Sequence, residues 1–109
     1  MQLTIEQRDV LQLLAWLHLR CGRPEGAQTL LEVLLRVDPD HLAGRRALVV
    51  AALELGDWAR AEQQCLALHD AGEQQASLWL CLSQAQQMAG RLEQAQATFG
   101  EYLRRKDHS

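Results

Sequence analysis

The chain has 109 residues, of which 48% are hydrophobic and 23% charged, as expected of one soluble globular domain over residues 1–109. Its net charge is −3, and acids and bases are mixed along the sequence, so it lacks the basic stripe of a nucleic-acid binder. Leu, Ala, Gln, Glu and Arg dominate and only two prolines occur, a composition that favours helix and predicts an all-α fold.

Thr4 and Gln7 have the spacing of a capping box, which opens a first helix. Val10, Leu11, Leu13, Leu14, Leu17 and Leu19 recur along it at helical spacing, and Gly22 stops it. Pro24 suits the first turn of the second helix, where a missing N–H costs nothing. That helix carries Ala27, Leu30, Leu31, Leu34 and Leu35 and ends at Asp38-Pro39. The third contains the longest apolar run, Ala47 to Leu53, and ends at Gly56. Asp57 precedes a fourth with Trp58, Ala61, Cys65 and Leu68, broken by Ala71-Gly72. Trp79 and Leu82 mark the fifth, Gly90-Arg91 the next turn, and Leu92, Ala95, Phe99 and Tyr102 the sixth. Arg104, Arg105 and Lys106 then complement the negative end of that last helix.

Glycines 22, 56 and 90 advance by 34 residues (56−22, 90−56), and so do alanines 27, 61 and 95 (61−27, 95−61). This period resembles that of the tetratricopeptide repeat, in which small residues let the two helices of each unit cross closely. The resemblance implies three tandem helix-turn-helix repeats, 8–41, 42–75 and 76–109, forming a short right-handed solenoid. In such arrays the first helix of each unit lines a concave groove that holds another protein. The repeat register places Gln12, Trp16, Leu19 and Arg20 there from the first unit, and Arg46, Val50, Leu53 and Glu54 from the second. Leu80, Gln84 and Gln87 come from the third. A helix apolar all round expects burial all round, so the inner face of Ala47–Leu53 calls for a groove ligand, an amphipathic helix or an apolar extended segment. Arg20 and Arg46 would fix its register. Phe99, Tyr102 and Leu103 form a second candidate surface, an apolar end face without a polar cap. A clamp for a C-terminal carboxylate built from groove asparagines and lysines is excluded: there is no asparagine, and the only lysine is Lys106.

Chemistry has little to work with. Cys21, Cys65 and Cys81 make no CxxC pair and read as free thiols of a reducing compartment. His18 and Cys21 lie one turn apart, as do Cys65 and His69, but a zinc site needs three or four convergent ligands. His41 and His108 fall at unit edges, where solvation is expected. With no oxyanion donor and no phosphate-binding glycine loop, neither an enzyme nor a cofactor or metal is expected. The start, Met1 to Glu6, has no basic n-region, and no apolar run reaches the roughly 18 residues of a membrane span.

More than the repeat is distinctive. The stretches Trp16-Leu17-His18-Leu19-Arg20-Cys21-Gly22, His41-Leu42-Ala43-Gly44-Arg45-Arg46 and Trp79-Leu80-Cys81-Leu82-Ser83-Gln84-Ala85-Gln86-Gln87 resemble the YscY-type chaperones of bacterial type III secretion systems, as does the ending Lys106-Asp107-His108. The similarity runs over essentially the whole chain, at matching length. It implies a small chaperone of the bacterial cytoplasm, peripherally recruited to the inner-membrane secretion apparatus, that binds a YscX-type secreted component as a heterodimer. The pair would also engage the cytoplasmic domain of the export-gate membrane protein. No motif marks that second contact, and the charges Arg45, Arg46, Arg60 and Glu62 are its open candidates. Two alternatives stand beside this reading: a self-associating tetratricopeptide scaffold, and a translocator-class secretion chaperone.

Overall fold

In the computed structural model, residues 2–107 are described, and six α-helices account for most of them. They are α1 (Ile5–Arg20), α2 (Pro24–Val37), α3 (Leu42–Leu55), α4 (Trp58–Asp70), α5 (Ala76–Met88) and α6 (Leu92–Lys106), with no strand among the described residues. Each begins and ends for a local reason. The capping box at α1 is present in both directions: the Thr4 hydroxyl accepts from the Gln7 amide at 3.1 Å, and the Gln7 side chain accepts from the Thr4 amide at 2.9 Å. The first helix thereby starts at Ile5, ahead of the first repeat's expected boundary at residue 8. Pro24 occupies the first turn of α2, and Asp57 caps α4 by accepting from the Arg60 amide. Gly22, Gly56, Gly72 and Gly90 take positive φ (72°, 74°, 93° and 85°) at four of the five interhelical turns, a conformation that a Cβ would strain.

The chain divides into two compact units, Met1–Gly56 and Asp57–Ser109, with the division falling inside the second 34-residue segment, between α3 and α4. In the first unit α2 packs against both α1 and α3, and α1 also touches α3. Its core joins Ala15 and Leu19 of α1 to Ala27, Leu31 and Leu34 of α2 and Leu48 and Ala51 of α3. Two glycines allow the close approaches. A Cβ on Gly44 would lie 2.9 Å from a Leu34 methyl, and one on Gly26 would drive into the His18 ring. His41, expected to be a solvated edge residue, instead caps α3: its Nδ1 accepts from the Gly44 amide at 2.9 Å and the ring is half-buried. His41 and Gly44 thus have structural reasons for being where they are in the His41–Arg46 stretch.

In the second unit α5 packs against both α4 and α6. Ala61, Cys65 and Leu68 of α4, Leu78, Leu82 and Ala85 of α5, and Ala95 of α6 are buried. Polar contacts tie the helices together as well. Glu62 of α4 accepts from Arg91 at 2.8 Å and from the buried Gln86 at 3.4 Å. The Arg105 guanidinium lies 4.6 Å from the Trp79 ring centre, and His69 meets the same ring edge-on at 5.2 Å. Arg104 and Arg105 both bind Glu101 and hold its carboxyl below the usual range, so they do more than complement the helix end. His108 lies outside the described residues.

Candidate functional site

The first unit has an open cleft of about 420 Å³ between α1 and α3, lined by Gln12, Trp16, Ala43, Arg46, Ala47 and Val50. Positions 12 and 16 are one turn apart on α1, and 43, 46, 47 and 50 share one face of α3, so helix periodicity alone brings them to the cleft. Trp16 is 47% exposed and Val50 37%, high values for side chains of that apolarity facing one another across a groove. Arg20, one turn beyond Trp16, holds its guanidinium 5.9 Å from the indole centre, and Glu54 is exposed one turn beyond Val50. The cleft therefore has an apolar floor with charge at its margins.

Of the eight groove residues expected from this unit, Gln12, Trp16, Arg46 and Val50 line the cleft, Arg20 and Glu54 are exposed, and Leu53 is half-buried. Leu19 differs: it is 8% exposed and belongs to the core with Ala15 and Leu31. It stands four residues after Ala15 and so continues the inward face of α1, whereas Trp16 is one position round the helix from that face. In the second unit Leu80, Gln84 and Gln87 are all exposed on α5. Gln87 also lines a cleft of about 240 Å³ with Ser83, Leu92, Ala95, Gln96 and Phe99, between α5 and α6. Phe99 and Tyr102 meet with ring centres 5.6 Å apart and planes tilted by 36°, and the Lys106 ammonium lies 5.9 Å over the tyrosine. Phe99 and Leu103 remain 42% and 43% exposed, while Tyr102 is half-buried.

The outward side of α1 is a surface that the sequence reading did not single out. Val10, Leu13, Leu14 and Leu17, which look like core by their spacing, are all exposed. A further cleft of about 410 Å³ lies beside Val10, lined by Leu3, Glu6, Gln7, Leu11 and Val33. The signal was available: α1 carries more large apolar residues than one helix face can bury.

The candidate charges for a second contact are already engaged. Glu62 is bonded to Arg91 and Gln86, Arg60 pairs with Asp57 at 3.5 Å, and Arg45 donates to the Pro39 carbonyl at 2.6 Å. Reactive chemistry does not assemble. Burial, with smaller contributions from Cys81 and Glu62, pushes the Cys65 thiol up to about 12, and burial also raises Cys81. Such thiols stay protonated at neutral pH and make poor nucleophiles. His18 is tied to the Leu14 carbonyl at 2.8 Å and His69 to Trp79. Among the described residues no three His, Cys, Asp or Glu side chains converge on a common point. No described helix is long and apolar enough to cross a membrane.

Tetratricopeptide-repeat family models match residues 22–79 and 76–101. Over 107 residues the chain is 45% identical to Chaperone protein YscY of Yersinia enterocolitica, covering 98% of this chain and 94% of that one. The same figures hold for Chaperone protein YscY of Yersinia pestis.

Proposed function

We propose that this chain, which belongs to the YscY chaperone family, is a non-catalytic type III secretion chaperone of the bacterial cytoplasm. It binds and stabilises a YscX-type secreted export component, and the pair engages the cytoplasmic domain of the export-gate protein at the inner membrane. The observation that carries this reading is the α1/α3 cleft, where Trp16 and Val50 remain exposed on facing helices. An apolar anchor of a partner helix placed there removes both side chains from water, at roughly 25 cal/mol per Å² of apolar area before the costs of association. Gln12 and Arg46 line the same cleft, with Arg20 and Glu54 at its margins, and they set the orientation of the bound segment.

Two further surfaces on the second unit belong to the same reading. Leu80, Gln84 and Gln87 present a mixed face of α5, and Phe99, Tyr102 and Leu103 an apolar one of α6. Each takes a separate stretch of the partner. Cys21, Cys65 and Cys81 have no part in it.

The test is co-expression with a YscX-type protein, followed by light scattering on a sizing column. An equimolar complex of the two chains is expected. Val50→Glu places a carboxylate on the apolar floor and abolishes the complex, and Trp16→Ala does the same by removing the largest anchor. Gln94→Lys, exposed and outside all three clefts, leaves it intact. Far-UV circular dichroism confirms that each variant keeps its helix content. A folded Val50→Glu chain that binds normally would move the binding site away from this cleft.

A further inference from the structure

We infer that the outward face of α1 is a self-association surface, on which a second copy of this chain docks with its own α1 antiparallel, about a two-fold axis near Leu13 and Leu14. This goes beyond the chaperone reading and does not depend on it, because Trp16 faces a different side of α1 from the stripe used here and Val50 is on α3; of the cleft residues only Arg20, at its margin, is shared.

The stripe is regular. Val10, Leu13, Leu14 and Leu17 follow one another at i, i+3, i+4 and i+7, the spacing of a helix seam, and are 53%, 57%, 40% and 48% exposed. Ala15 and Leu19 already serve as the inward face, so this is a second apolar face on the same helix. Pairing the two copies antiparallel sets Leu13 against the other copy's Leu14 and Val10 against its Leu17. The cleft that runs from Val10 to Val33 of α2 receives that Leu17 side chain. A two-fold arrangement uses the same patch twice and closes on itself.

Charge selects a second copy, in this direction, over an arbitrary apolar partner. The N-terminal end of the face carries Glu6 and Asp9, both exposed, while the nearby Arg8 is taken by Asp38 at 3.4 Å. The other end carries Arg20, also exposed. Asp9 and Arg20 flank the stripe on one side, and Glu6 stands in line with it at its N-terminal end. In an antiparallel pair the acidic end of each helix therefore meets the basic end of the other, twice over; a parallel pair would set like charges together.

The experiment is sedimentation equilibrium on the whole chain alone, with no partner protein present. A dimer of twice 12.3 kDa is expected. Leu13→Glu raises its dissociation constant by about a hundredfold, since it buries an unpaired carboxylate at the axis. The double change Glu6→Lys with Asp9→Lys weakens it about tenfold, and adding Arg20→Glu restores it, an outcome that loss of folding cannot imitate. Glu6→Cys gives a second readout. The antiparallel register puts it opposite the exposed Cys21 of the other copy, so mild oxidation yields a covalent dimer that Cys21→Ser abolishes and Glu25→Cys on α2 does not reproduce. A monomer at every concentration, or a dimer indifferent to Leu13→Glu and without the Glu6→Cys cross-link, overturns the proposal.

Discussion

The two units of this chain have the same ground plan, three helices with a central one packed on both neighbours, yet they are held in different ways. The first, Met1–Gly56, is joined by aliphatic packing, with Leu31 and Leu34 of α2 fully buried between Ala15, Leu19, Leu48 and Ala51. Arg8 pairs with Asp38 at the end of α2 in the first unit, while the second is clasped by larger polar groups: Glu62 to Arg91 and Gln86, and Arg105 over Trp79 with His69 at the ring edge. Surface chemistry follows the same division. The first unit presents exposed Val10, Leu13, Leu14, Trp16 and Leu17 on a single helix, whereas the second presents its apolar residues in smaller groups beside charges, as with Phe99, Tyr102 and Lys106. A unit that shows its apolar residues outward is suited to being covered, and one laced by ion pairs to standing in water.

The contrast breaks most visibly at a core leucine. Leu31→Ala removes a side chain that is fully buried and costs about 2–5 kcal/mol, read as a lower urea midpoint by circular dichroism. A loss well below that range would mean that apolar packing is not what holds the first unit.

The second unit answers to pH through Cys65. Its thiol has an ordinary value of 9.0 and is raised to about 12 by burial first, then by Cys81 and Glu62. The folded chain keeps this proton longer than the unfolded one, so the contribution is intact below pH 9.0 and is lost as pH rises towards about 12. The decline is at most about 1.4 kcal/mol per pH unit, and Cys65→Ala flattens it. Parallel stability profiles for parent and variant above pH 9.0 would contradict this account.

The smallest effect belongs to the clasp. Glu62→Ala costs about 1 kcal/mol, because Arg91 is part-exposed and water screens the pair. Added salt should narrow the difference between parent and variant in urea titrations, while the Leu31→Ala difference holds.

Much of the fold was legible in the sequence. The Thr4–Gln7 box, Pro24, Asp57 and the turn glycines each mark a helix end by a local rule, and all are found at helix ends. The candidate cleft was legible in part. Gln12, Trp16, Arg46 and Val50 could be assigned to one groove because the repeat register carries angular position from helix to helix. Leu19 could not be sorted from Trp16 in the same way, since both are large apolar residues three positions apart on a helix whose apolar residues spread over more than one face.

The sequence by itself determined the number of helices, where they stop, the 34-residue period and the family, because these rest on backbone conformation and on spacing along the chain. The tertiary structure alone decided which apolar residues are covered. A helix period says which side chains share a face, but burial depends on how many faces have neighbours. Helix α1 is packed by α2 and more lightly by α3, so Ala15 and Leu19 go inside while Val10, Leu13, Leu14 and Leu17 stay outside. The tertiary structure also brought Glu62 to Arg91, 29 residues on, and Arg105 to Trp79, pairings between distant side chains that no local pattern encodes.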